Sequence, residues 1–92
     1  MRTVSWAPSF RRAFRRYARR HPELRDRIRQ VIDQLVADPF GPALDTHKLR
    51  GELAGLWACS VVYDCRIVFD FVGSQENPIL LLIDIGTHDE VY

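Results

Sequence analysis

No apolar run in this sequence approaches the roughly 20 residues needed to span a bilayer, so a membrane-spanning helix is not expected. The opening stretch, MRTVSWAPSF, has no apolar signal core, and work in the cytoplasm is expected. Cysteine is scarce. Cys59 and Cys65 fit neither a disulfide framework nor the paired spacing of a zinc site, and free thiols are expected, at least one of them filling core space. Repeats, linkers and low-complexity segments are missing too. With 92 residues the chain is read as a single domain, 1–92. A domain this small buries only about 60% of its unfolded surface, which makes for a thin core. Hydrophobic residues at 47% and charged residues at 27% exclude a disordered tail or a collagen-like repeat.

The net charge of +1 hides a strong division. Residues 1–36 carry ten Lys and Arg against three acids, a balance of +7, and residues 37–92 carry three against nine, a balance of −6. Such a split concerns partners rather than fold. The basic half suits a polyanion or an acidic protein segment.

Thr3 to Trp6 alternates and predicts a short strand. Pro8 and Ser9 predict a helix start, with Ser9 as the N-cap. Phe10, Ala13, Phe14 and Tyr17 then form an apolar stripe of helical period, with Arg11, Arg12, Arg15, Arg16, Arg19 and Arg20 on the outer face. His21-Pro22 interrupts this helix. A second one follows, with Leu24, Ile28, Val31, Ile32 and Leu35 as its stripe and Asp38-Pro39 as its end. Residues 39–55 read as a loop, long enough in so small a chain to suggest a function. Beyond it the period becomes two: Trp57, Cys59, Val61 and Tyr63 share a face. So do Ile67, Phe69 and Phe71, opposite Arg66, Val68 and Asp70. GSQENP is a turn, and Ile79 to Ile85 predicts a central or well-covered strand. The fold expected is α+β: a small antiparallel sheet, order β-α-α-β-β-β in the chain, with an N-terminal helical hairpin packed on one face.

Polar residues gather where a core would not place them. His47, Lys48 and Arg50 fall in the long loop, Asp64 between two strands, Arg66 at the start of the next, and His88 after the last. These types suit metal-free cleavage of RNA. A 2′-hydroxyl must lose a proton as it attacks phosphorus, the 5′-oxygen must gain one as it leaves, and histidine titrates in the range for both. A carboxylate can act as base or orient an imidazole, arginine can stabilise phosphoryl charge, and an aromatic such as Tyr92 can stack on a base. Each has a plainer reading: a solvated histidine, a turn-forming Asp64, a frayed terminus at Tyr92. Metal ligation by His47, Asp64 and His88 lacks local ligand spacing, so neither metal nor cofactor is expected.

Four stretches resemble the bacterial RelE/ParE toxin superfamily, and within it the YafQ-like branch of mRNA interferases. H-K-L-R-G at 47–51 is similar to that branch's H-x-L-x-G, and G-L-W at 55–57 to the approach to its second strand. Y-D-C-R-I-V-F at 63–69 resembles its aspartate-bearing strand start, and G-T-H-D-E-V-Y at 86–92 its terminal motif. The resemblance implies a toxin of a type II toxin–antitoxin pair that cuts mRNA on the ribosome and forms a hetero-oligomer with a cognate antitoxin. It implies catalytic roles for His47, Asp64 and His88, with His88 the first choice for general acid. Arg66 would support the phosphate, and Tyr92 matches the terminal aromatic. Lys48, Arg50, Arg11, Arg12, Arg15, Arg16 and Arg19 are the expected RNA contacts, Arg11 to Arg19 toward ribosomal RNA or, alternatively, an acidic antitoxin segment. The chain departs from the branch at Ser60, where a further histidine is expected. A ParE-like inhibitor of DNA gyrase is one alternative, though it has no need for His47, Asp64 and His88, and the Ser60 departure keeps open another, a catalytically decayed binding module.

Overall fold

The computed structural model describes residues 2–62 and 64–91, and for Glu90 the backbone alone. Eight regular elements follow in order: β1 (Thr3–Trp6), α1 (Pro8–Arg20), α2 (Arg25–Ala37), β2 (His47–Lys48), β3 (Trp57–Val62), β4 (Cys65–Gly73), β5 (Pro78–Gly86) and α3 (His88–Val91). Single 3₁₀ turns lie at Pro22–Leu24, Pro42–Leu44 and Gly51–Leu53.

α1 buries the predicted stripe of Phe10, Ala13, Phe14 and Tyr17, and α2 buries Ile28, Val31, Ile32 and Leu35. The start of α1 differs from expectation. Pro8, whose fixed φ suits the first helical position, moves the cap back to Ala7, which has no side-chain bond to give. Ser9 is already helical, and its hydroxyl donates instead to the Ile83 carbonyl at 2.6 Å, fastening α1 to β5.

The sheet has five strands in the order β1-β5-β4-β3-β2. β3, β4 and β5 form the expected antiparallel meander, with β4 in the middle and β5 beside it. β1 adds to β5 in parallel, Thr3 opposite Ile79 through Trp6 opposite Leu82, so the sheet is mixed. Both helices are spent on the crossover that a parallel pairing requires. The stretch 39–55 is not all loop: β2 pairs antiparallel with β3, His47 opposite Ala58.

Two register shifts shape the meander. One lies between Ser60 and Val62 on β3, the other between Val68 and Phe69 against β5. On the helix-covered face Cys59, Val61, Cys65, Ile67, Phe69, Leu80, Leu82 and Ile85 join the helix stripes in one continuous core. Residues directly opposite in a ladder share a face. The other face therefore carries His47, Ala58, Val68 and Asp84 in one row and Ser60, Arg66 and Gly86 in the next. Ala58 and Val68 are buried there too, outside the main core. Trp57, Phe71 and the exposed Phe40 make a satellite aromatic cluster, with Lys48 over Trp57 and Arg2 over Phe71. Both cysteines are buried as thiols. No helix among the described residues is long and apolar enough to cross a membrane.

Candidate active site

Along the chain His88 lies more than twenty residues from Asp64 and Arg66, and the ladder brings the three together. Arg66 stands opposite Gly86, so continuing both strands by two residues puts Asp64 opposite His88. There the backbone N–H of His88 donates to Asp64 Oδ1 at 3.3 Å. His88 opens α3, whose first amide has no partner within its own helix, and the Asp64 carboxylate satisfies it from the neighbouring hairpin. Asp64 itself adopts a left-handed backbone, φ 65°, in the two-residue connection between Val62 and Cys65. Aspartate tolerates that conformation better than most residues. The reading of Asp64 as a turn former is thus correct and incomplete.

Ser60, Val62, Asp64, Arg66 and His88 line one open cleft of about 350 Å³. The His88 side chain is half exposed, with Nδ1 3.8 Å from Asp89 Oδ1. Arg66 is partly buried. Its Nη1 donates to Ser60 Oγ at 3.4 Å, while its Nε is buried without a hydrogen-bond partner among the described residues. The cleft therefore holds a carboxylate, a guanidinium and an imidazole, the set needed to move protons around a phosphodiester and to stabilise charge on it.

His47 lies apart. It lines a neighbouring cleft of about 550 Å³ with Lys48, Leu49, Arg50, Glu52, Leu53 and Val91. Since His47 pairs with Ala58, it is the diagonal neighbour of Ser60 on the same face, a Cα separation of roughly 7–8 Å in such ladders. Its Nδ1 is 2.8 Å from the Asp45 carbonyl. A carbonyl only accepts, so Nδ1 carries the proton and Nε2 is the acceptor nitrogen of the neutral ring. Val91, buried, ties α3 to this second cleft.

The α1 arginines Arg11, Arg12, Arg15, Arg16 and Arg19 are exposed. Arg11, Arg15 and Arg19 join Trp6, Phe14, Ala18 and Arg25 around a cleft on the helical side. Arg11 sits over the Trp6 ring and Arg29 over Phe14. His21 lies in the inter-helix turn, 3.5 Å from Glu23, away from these groups. Tyr63 and Tyr92, expected on a strand face and at the site, lie outside the described residues. No group of three or more His, Cys, Asp or Glu among the described residues could hold a metal ion.

The feature that sequence reading missed is the Ser60–Arg66 contact. Alternation marks both residues as polar positions on strands, but the register shift after Ser60 decides that they face each other. Counting back from the Val62–Cys65 pair at the turn would put Val61 opposite Arg66, whereas the register that runs from Trp57 puts Ser60 there, and the bulge reconciles the two.

A comparison with curated proteins finds no match. Solved structures share the whole architecture. YafQ from E. coli strain BL21(DE3) superposes with TM-score 0.82 at 15% identity, covering 100% of this chain and 99% of that one. A metal-bound toxin from Helicobacter pylori gives TM-score 0.79 at 25% identity, with 100% of both chains covered. The E. coli DinJ-YafQ complex gives 0.79 at 15%, covering 100% and 99%. The sequence profile described as "Bacterial toxin of type II toxin-antitoxin system, YafQ" matches residues 2–92. On that match over nearly the entire chain, this protein belongs to the YafQ family and is a toxin of a type II toxin–antitoxin system.

Proposed function

We propose that this toxin is an endoribonuclease that cuts mRNA on the ribosome by acid/base catalysis. The observation that carries the reading is the convergence of Asp64, Arg66 and His88 on one cleft, joined by the Asp64–His88 hydrogen bond. In the reaction a base takes the proton of the 2′-hydroxyl and O2′ bonds to phosphorus. The P–O5′ bond breaks, and an acid protonates the leaving 5′-oxygen. The products are a 2′,3′-cyclic phosphate and a 5′-hydroxyl end. His88, half exposed at the mouth of the cleft, is the general acid. Asp64 is the nearer base or orienting group, since an ionised carboxylate with one oxygen engaged keeps acceptor capacity on the other. His47, one diagonal further along the same face, is the alternative base through Nε2. Arg66 stabilises charge building on the phosphoryl oxygens. Tyr92 is the terminal aromatic proposed to stack on a base.

Lys48 and Arg50 would hold flanking phosphates of the message, and Arg11, Arg12, Arg15, Arg16 and Arg19 would meet ribosomal RNA through sequence-independent charge. The partner in the cell would be a cognate antitoxin in a hetero-oligomer, as in the DinJ-YafQ complex, with both acting in the cytoplasm. The test is a map of mRNA 5′ ends after brief induction of the parent and of His88→Ala. New ends inside translated frames, in the parent alone, are expected. Growth arrest without new ends but with a DNA-damage response would replace this reading with gyrase inhibition.

A further inference from the structure

Relatives are expected to carry a histidine where this chain has Ser60, and on sequence alone the serine reads as a loss. Its surroundings say otherwise. Ser60 stands opposite Arg66 in the ladder, is partly buried, and lines the same cleft as Asp64 and His88. The Ser60 hydroxyl receives Nη1 of Arg66 at 3.4 Å. On the other side of the guanidinium, Nε is buried with no partner among the described residues. A buried donor without an acceptor disfavours the conformation that leaves it so unless something compensates. The serine is therefore the described hydrogen-bond partner that holds the guanidinium in this pose.

Resting on the nuclease reading above, we infer that Ser60 is a positioning residue that aims Arg66 at the scissile phosphate without neutralising it. The chemistry of the partner matters. A carboxylate at position 60 would pair with the guanidinium and cancel its charge. A protonated imidazole would repel it. A hydroxyl accepts one N–H, leaves the full positive charge for the anion, and at 3.4 Å binds loosely enough for the head group to adjust as substrate enters. The position thus trades a second proton-transfer group for a better placed cation.

The experiment has two arms. In single-turnover cleavage of mRNA on programmed ribosomes, Ser60→Ala should lower kcat about tenfold, the loss of one hydrogen bond to a charged group that acts on transition-state charge. KM should stay within about twofold, because that charge develops only as the bond breaks. Ser60→Thr should restore the rate, Ser60→Asp should fall below Ser60→Ala, and Ser60→Ala in an Arg66→Ala background should add nothing. Equal losses from Ser60→Ala in both backgrounds would overturn the inference. The second arm needs no activity: the Nη–H signal of Arg66 in a ¹⁵N spectrum, assigned by its loss in Arg66→Lys, should be resolved and exchange slowly in the parent and lose that protection in Ser60→Ala. An unchanged signal overturns the inference even in an active enzyme. A parent that cuts no RNA overturns the nuclease reading instead, while the spectrum still decides the contact.

Discussion

At the scale of single residues, Asp64 shows how one side chain serves fold and chemistry together. Its left-handed backbone closes the β3–β4 connection, and its carboxylate caps α3. Asparagine keeps both services, since it tolerates the left-handed region and its carbonyl oxygen can accept the His88 amide. Asp64→Asn should therefore melt close to the parent yet lose about 10²-fold or more in RNA cleavage, the usual contribution of a positioned acid or base. Retained cleavage would remove Asp64 from the chemistry and leave it a turn former. Cys59 sets a different expectation. Burial pushes its thiol from an ordinary 9.0 up to about 12, partly offset by a hydrogen bond to the Ile67 backbone and helped by the neighbouring Cys65. The unfolded thiol ionises at its ordinary pKa, so the folded state binds the proton more tightly. Stability from this group is complete below pH 9 and declines as pH rises toward 12. Chemical denaturation of the parent and of Cys59→Ala across roughly pH 8–11 should show the parent losing more; parallel curves would contradict the assignment.

Helices and strands were legible because their apolar positions follow simple periods, and among the described residues both stripes and both β faces fall where period 3.6 and period 2 put them, except that Leu24 ends the 3₁₀ turn before α2 rather than opening the helix. What period cannot carry is pairing. The parallel partner of β1 lies more than seventy residues away, and the two-residue β2 exists only because β3 offers it an edge. The bulge beside the Ser60–Arg66 pair leaves no mark in the alternation. For that reason the candidate residues could be named from sequence while their grouping could not: His47 separates from Asp64, Arg66 and His88 by strand order alone. The turn between β4 and β5 does announce itself. Gly73 has φ 86°, and a Cβ there would collide with the Asn77 carbonyl oxygen, whose acceptance of the Ser74 amide closes the turn. Gly73→Ala should cost at least about 1–2 kcal/mol from the left-handed backbone alone, read as a lower midpoint in urea with an unchanged slope. On α2, Ile32→Asp should leave no folded protein, because an unpaired carboxylate would enter the core that Ile32 helps fill. A cooperative native-like melt of that variant would refute the packing of α2.

For the molecule as a whole, the charge division sets stability against binding. α1 carries six arginines and no acid. Like charges three and four residues apart on a helix repel by a few tenths of a kcal/mol per pair. The exposed row containing Arg12, Arg16 and Arg20 therefore carries an electrostatic cost within the helix, which is smaller in the last turn, where the helix dipole favours the cations Arg19 and Arg20. Such an arrangement is unfavourable for folding, so its benefit has to lie in what the surface meets. Arg16→Glu tests this directly. It replaces three repulsions, with Arg12, Arg19 and Arg20, by three attractions, and should raise stability by about 1 kcal/mol at low salt. If the face meets ribosomal RNA, the same substitution weakens ribosome binding and flattens its salt dependence. The slope of log K against log salt should fall by about one for each phosphate that is no longer neutralised. A variant that is more stable and binds less, with the difference vanishing at high salt, is the expected outcome. One that is more stable and binds equally well would turn the arginine face away from RNA and leave it to the acidic partner.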